Sequence, residues 1–183
     1  MADMILVCGE NSSGKSKLAE KLVSLTKGKR YYVATMINSN PENQKRIEKH
    51  IAQRAGLNFE TLELPFGFES AELEEGSVVL LEDVANLLAN LIFVKQQGLQ
   101  QALAEIQKLK NKCKTLFLVS IAGLSGEGYE GETLDYVNQL NELNTILSTI
   151  SDAVVEMKNG EPIIRKGEKL LHDEGLLDCP VNL

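Results

Sequence analysis

The chain has 183 residues, 43% of them apolar and 25% charged, with a formal net charge of −7. Such a length suits one domain, and this balance of residues excludes disorder as the main state. No apolar run reaches the roughly 18 residues of a membrane span, and the acidic balance argues against non-specific nucleic-acid binding. Met4–Cys8, a short apolar run ending at Gly9, predicts a buried strand. Leu18, Leu22 and Leu25 recur at helical spacing, so a helix is expected from Lys15 to about Leu25, stopping near Gly28. Tyr31–Thr35 predicts the second strand. Asn40-Pro41 then supplies an N-cap and a first-turn proline for a helix reaching about Ala55, with Gly56 as its stop.

Asn58–Leu64 predicts a third strand, with Phe59 and Thr61 on one face, and Ser77–Leu81 a fully buried one. Leu87, Leu88, Leu91 and Ile92 mark one helix and Leu99, Ala102, Leu103, Ile106 and Leu109 a second, with Gly98 between them. Thr115–Val119 predicts another buried strand. The stretch 123–131 holds four glycines and is expected to be a mobile loop. Leu134, Val137, Leu140, Leu143 and Leu147 form a helical stripe, and Asn159-Gly160 is a hairpin signal between Ala153–Met157 and Pro162–Ile164. Alternating strands and helices imply an α/β fold with a mostly parallel sheet, helices on both faces and a C-terminal antiparallel hairpin. Residues 1–165 form the expected domain. Residues 166–183 form a polar tail with Leu170, Leu171, Leu176 and Leu177 available for docking; His172 within it is expected to face solvent.

Residues 1–54 carry 10 basic and 5 acidic side chains, whereas residues 55–183 carry 9 and 21. A basic segment in an acidic protein suits an anionic small molecule, and equally a solvated helix face. Cys8, Cys113 and Cys179 are odd in number and far apart, so neither a zinc site nor a disulfide framework is expected, and a reducing cytoplasm is the expected compartment. Cys8 is expected to serve packing. Met1-Ala2-Asp3 lacks a basic residue and the apolar run after it is short, so no signal peptide is expected.

Gly9-Glu10-Asn11-Ser12-Ser13-Gly14-Lys15-Ser16 matches the phosphate-binding pattern G-x-x-x-x-G-K-[ST], and it lies between a predicted strand and a predicted helix as that chemistry requires. The glycines allow the tight path, and backbone N–H groups turn towards phosphate. Lys15 reaches the β- and γ-phosphates and the Ser16 hydroxyl ligates Mg²⁺. The fold expected is therefore P-loop NTPase-like. An acidic partner for the metal is expected at the end of a neighbouring strand. Strand alternation puts Glu82 and Asp83 on opposite sides, so one of them faces the phosphates. Glu82 is the favoured metal partner, and Asp83 suits the N-cap of the next helix.

His50 lies on the helix opened by Asn40-Pro41, with Arg46, Lys49, Gln53 and Arg54 close by on one face and Ile47 and Ile51 expected on the inner side. Surrounding cations favour neutral imidazole, the form that attacks phosphorus. A solvated basic helix gives the same pattern, and the residues alone leave that alternative open.

Taken in order, several segments resemble the bifunctional adenosylcobinamide kinase / adenosylcobinamide-phosphate guanylyltransferase family of cobalamin biosynthesis. They are Met4–Ser16, Tyr32-Val33-Ala34-Thr35, the Arg46-Ile47-Glu48-Lys49-His50 helix with Arg54, Thr61-Leu62-Glu63, Leu80-Leu81-Glu82 and Asn90-Leu91-Ile92-Phe93. The resemblance implies two reactions: phosphorylation of adenosylcobinamide by a nucleoside triphosphate, and transfer of GMP from GTP to the product through a guanylyl-histidine, here His50. It implies nucleotide contacts along Gly9–Ser16, at Ala34, Thr35 and Met36, at Ile51 and Arg54, and at Glu63 and Glu82. ATP or GTP as substrate, Mg²⁺ at Ser16 and Glu82, a corrinoid acceptor and a homo-oligomer, specifically a trimer, are implied likewise. These segments span residues 4–93. Beyond them, Ser120-Ile121-Ala122-Gly123 stands where the family has Asn-Glu-Val-Gly, and no arginine occurs between Arg54 and Arg165. A kinase of another small molecule and a non-catalytic nucleotide-binding regulator are the alternatives.

Overall fold

The computed structural model describes residues 2–173. Seven strands form one sheet: β1 (Asp3–Gly9), β2 (Arg30–Ala34), β3 (Phe59–Glu63), β4 (Val78–Glu82), β5 (Thr115–Ile121), β6 (Ala153–Lys158) and β7 (Glu161–Lys166). Among the described residues six helices accompany them: α1 (Lys15–Leu25), α2 (Pro41–Gln53), α3 (Val84–Lys95), α4 (Leu99–Lys110), α5 (Gly131–Ile150) and α6 (Glu168–Asp173). The strand order is β3-β2-β4-β5-β1-β6-β7. All neighbours run parallel except β6 and β7, which pair antiparallel.

The period of two along each central strand divides the core into two layers. From β1, Met4 and Leu6 join Val79, Leu81, Leu116 and Leu118 on the face covered by α3, α4 and α5. Ile5 and Val7 point the other way, joining Leu80, Phe117 and Val119 beneath Leu18, Ala19, Leu22 and Val23 of α1. Burial on both faces explains why these strands read as unbroken apolar runs. The edges differ. β3 is largely exposed and carries Glu60 and Glu63, while β7 holds Pro162, which a ladder accepts only at an edge.

The predicted elements are all present, with ends shifted by a residue or two. Asn40 caps α2, its side chain accepting from the Asn43 N–H at 2.8 Å. The β6–β7 turn uses Asn159 and Gly160, both at positive φ, as two-residue hairpins require. Residues 122–130 form no regular element. β7 runs to Lys166, and α6 buries Leu171 in the core layer beneath α1. The His172 side chain is exposed. Leu176, Leu177 and Cys179 lie outside the described residues. Among the described residues, no helix is long and apolar enough to cross a membrane.

Candidate active site

The carboxyl ends of β1, β2, β4 and β5 meet at one edge of the sheet, where open α/β folds place their ligands. A cavity of about 970 Å³ opens there, between the start of α1 and the length of α2. Of the residues implied at the nucleotide, Asn11, Ser12, Gly14, Lys15, Ser16, Ala34, Met36, His50, Ile51, Arg54, Glu63 and Glu82 line it. Gly9, Glu10, Ser13 and Thr35 are absent from its wall.

The loop after β1 needs its glycines for two different reasons. A Cβ on Gly9 would meet the Met157 carbonyl oxygen at 2.6 Å, so the β1 end packs directly on β6. Gly14 is in the left-handed region, with φ 89°, and opens α1. Lys15 is only 6% exposed and donates from Nζ to the Glu10 carbonyl at 3.1 Å, bridging the loop from within. Burial lowers its pKa, against the raising influence of Asp83 and Glu82.

Ser16 Oγ donates to Glu82 Oε1 at 2.7 Å, tying the start of α1 to the end of β4. The other carboxylate oxygen of Glu82 is buried with no partner. Burial, and then the neighbouring Asp83, pushes the Glu82 carboxyl up to about 8. Asp83 is raised too, chiefly by burial. Asp83 Oδ1 accepts from the Asn86 N–H at 2.7 Å and caps α3. Both acids nevertheless line the cavity. The expected division onto opposite sides therefore fails, because Asp83 lies past the last paired residue of β4, where ladder alternation no longer governs direction. Among the described residues no cluster of three or more His, Cys, Asp or Glu forms a ready-made metal site.

Thr35 is fully buried. Its hydroxyl and N–H engage the Glu82 carbonyl at 3.0 and 3.1 Å, and Oγ1 also accepts from the Asp83 N–H at 2.8 Å. Thr35 thus latches β2 to the end of β4.

His50 faces the same cavity from α2, and its Nδ1 is buried without a partner. Its pKa is lowered, first by burial and then by Arg54, Arg46, Lys49 and Lys15, so neutral imidazole is favoured. Ile47 and Ile51 were expected on an inner face, but they line the cavity and Ile51 is 51% exposed. The reason is that α2 does not lie along the core, and none of its residues is buried.

The sequence reading named Gln53 and Arg54 but not what they touch. Arg54 is buried, with its guanidinium over the Tyr32 ring at 3.8 Å from the centroid, and it donates to Thr61 Oγ1 at 3.2 Å. Gln53 Nε2 donates to Glu20 Oε2 at 2.7 Å. These contacts join residues 7 to 33 positions apart, and no local motif announces them.

The fold is shared with a structural-project protein of Pyrococcus horikoshii OT3, at a TM-score of 0.55 and 10% identity over 91% of this chain and 87% of that one. The chain is 30% identical over 179 residues to the bifunctional adenosylcobalamin biosynthesis protein CobP of Pseudomonas aeruginosa (strain PAO1), covering 93% of this chain and all of that protein. The sequence pattern of cobinamide kinase / cobinamide phosphate guanyltransferase matches residues 5–164, well past the segments that carried the resemblance. This P-loop-like chain of α/β architecture therefore belongs to the cobinamide kinase / cobinamide phosphate guanyltransferase family of cobalamin biosynthesis, a family of nucleotide-using transferases.

Proposed function

We propose that this chain phosphorylates adenosylcobinamide with ATP or GTP and transfers GMP from GTP to the resulting phosphate through a guanylyl-histidine at His50. One observation carries the reading: Lys15, Ser16 and Glu82 share a single cavity with His50. A phosphate site and a nucleophile with access to the same bound nucleotide are what the two reactions need.

In the first reaction the P-loop N–H groups and Lys15 bind the triphosphate and the acceptor hydroxyl attacks the γ-phosphorus; the bond to the β–γ bridging oxygen breaks, the nucleoside diphosphate leaves and the hydroxyl proton passes to solvent. Lys15 offsets charge developing on the transferred group. In the second, the unprotonated ring nitrogen of His50 attacks the α-phosphorus of GTP. The bond to the β-phosphate oxygen breaks and pyrophosphate leaves. The other ring nitrogen keeps its proton until solvent removes it. A phosphate oxygen of the acceptor then attacks the same phosphorus, the free ring nitrogen takes a proton back from solvent, and the P–N bond breaks, returning neutral imidazole. Arg46, Lys49 and Arg54 counter the negative charge that would otherwise repel the incoming phosphates.

The orphaned Glu82 oxygen beside the Ser16 hydroxyl fits a hard cation bound through few protein oxygens and through phosphate. Ser16 and Glu82 would hold Mg²⁺, which supplies Lewis-acid stabilisation of phosphate charge when bound. A cytoplasmic homo-oligomer, a trimer in particular, belongs to the same proposal.

The test is incubation with α-labelled GTP and Mg²⁺, denaturation and mapping of the label. The expected result is base-stable, acid-labile label on His50 with release of pyrophosphate, and passage of that label to adenosylcobinamide phosphate. Label on another residue, or none while GTP binds, would overturn the guanylyl-histidine.

A further inference from the structure

Glu20 stands on α1, one turn after Ser16, and is 2% exposed. One carboxylate oxygen accepts from Gln53 of α2 at 2.7 Å, and the other is buried with no partner. The remaining buried apolar residues of α1, namely Leu18, Ala19, Leu22 and Val23, belong to the core layer. A carboxylate among them is costly to bury, and an apolar residue of similar volume commonly serves stability as well or better. Burial pushes the Glu20 carboxyl up, and the Gln53 hydrogen bond and the Arg54 charge oppose that shift.

The helix on the other end of this contact needs an anchor. No residue of α2 is buried, so core packing does not fix its direction. The Asn38–Gln44, Asn43–Ile37 and Asn40–Asn43 hydrogen bonds are local to its N-terminal end. Its C-terminal end is tied outward: Gln53 to Glu20, and Arg54 to Thr61 and the Tyr32 ring. His50 lies one turn before these residues. By contrast α1 is packed against β1, β4 and β5, so Glu20 is a fixed post.

We propose that Glu20 is a positioning residue: its buried carboxylate pins Gln53, and with it the last turn of α2, so that His50 is held over the P-loop cavity. The inference rests on the guanylyl-histidine reading for its consequence in catalysis, although not for the pinning itself. Glu20 is not itself part of the cavity wall; it meets that wall from behind, through Gln53. Its effect on His50 runs through the place it gives to α2, while its charge also helps to raise the Glu82 carboxyl.

The experiment compares Glu20→Ala, Glu20→Gln, Gln53→Ala and the double variant Glu20→Ala/Gln53→Ala with the wild type. Three quantities are read: labelling of His50 by saturating α-labelled GTP, phosphorylation of adenosylcobinamide, and hydrogen exchange of the α2 amides. In Glu20→Ala the labelling rate should fall about 10²-fold, the scale of a misplaced reacting group. Phosphorylation and the KM for nucleotide should hold, and α2 amides should exchange faster. Glu20→Gln keeps an oxygen that accepts from Gln53, and it should restore most of the labelling. The double variant should be no worse than either single one, as two ends of one tether require. Wild-type labelling and unchanged α2 exchange in Glu20→Ala would overturn the proposal. So would equal loss of both reactions with no rescue by Glu20→Gln. Should Glu20→Ala fail to fold, Gln53→Ala breaks the same bond from the partially exposed partner, and normal labelling there is equally fatal. If wild-type protein takes no label, the guanylyl-histidine fails separately, and α2 exchange in Glu20→Ala still decides the pinning.

Discussion

Helices α1 and α2 deliver side chains to one cavity but are held in place by different forces. α1 buries Leu18, Ala19, Leu22 and Val23 under the sheet and brings Lys15 and Ser16 in on a rigid support. α2 buries nothing along its length and presents His50, Ile47 and Ile51 to the cavity. Apolar burial is non-directional and large, whereas a few polar contacts give direction at little net stability. The chain thus sets Lys15 and Ser16 on a helix fixed by the core and leaves His50, the proposed nucleophile, on one that the core does not fix.

Breaking each arm at its proposed functional residue should give the largest effects, and different ones. His50→Ala should abolish acid-labile labelling by α-labelled GTP while phosphorylation of the hydroxyl persists. Lys15→Ala should slow phosphoryl transfer by ~10²–10³, the usual cost of removing charge stabilisation from a transition state. Circular dichroism should show both variants folded. Near wild-type phosphorylation in Lys15→Ala would remove the P-loop from the mechanism, and residual labelling in His50→Ala would move the nucleophile elsewhere.

Next in size is the contrast in stability. Leu22→Ala opens a cavity in a closed core layer and should cost about 2–5 kcal/mol. Ile51→Ala, on a half-exposed side chain of α2, should change stability by less than about 0.5 kcal/mol. Urea denaturation read by far-ultraviolet circular dichroism would measure both. Equal losses would mean that α2 is packed as firmly as α1.

What the sequence made legible follows the same division. The strands and α1 announce themselves because period-2 and period-3.6 burial write apolar runs and stripes into Met4–Cys8, Val78–Leu81 and Leu18–Leu25. The P-loop is legible because phosphate binding constrains consecutive residues. Asn40-Pro41 marked the start of α2 for the same local reason. What stayed hidden is long-range and polar: Glu20 meeting Gln53, Arg54 turning over Tyr32, and Thr35 spent on the Glu82 and Asp83 backbone instead of the cavity. Nothing local to any of these side chains names its partner. Only the tertiary partner makes each of them structural. The inward direction expected for Ile51 failed because a helical stripe locates an apolar face without saying that a core lies opposite it.

A smaller effect probes the acids at the seam between β4 and α3. Burial and Asp83 raise the Glu82 carboxyl to about 8. A raised carboxyl contributes stability that is complete below its ordinary value of 4.5 and is lost as pH climbs through about 8. Glu82→Gln cannot ionise. In nucleotide-free, metal-free buffer its melting temperature should therefore exceed that of wild type by a margin that grows from pH 5 to pH 9. Its Mg²⁺-dependent turnover should drop. Asp83→Ala removes the α3 cap instead, at a cost of ~1 kcal/mol. A Glu82→Gln margin that stays constant with pH would show that this carboxyl titrates normally.

The smallest expected effect is on His50 itself, and it separates the two ways in which α2 is influenced by its surroundings. Burial is the largest cause of the lowered imidazole pKa, followed by Arg54, Arg46, Lys49 and Lys15. A lowered basic group contributes stability that is present above its ordinary value of 6.5 and is lost as pH falls through the lowered one. Proton NMR can follow the ring directly, since the chain has only two histidines and His172→Ala assigns the signals. The His50 midpoint should lie below 6.5 in wild type. Arg46→Gln should raise it, and added salt should raise it too, because exposed charges are screened whereas desolvation is not. Salt and Arg46→Gln together should still leave it depressed, by the share that burial contributes. A midpoint that returns fully to the ordinary value in high salt would mean that repulsion alone holds the imidazole neutral. His50 would then be in open solvent, and α2 would stand further from the P-loop than the contacts of Gln53 and Arg54 require.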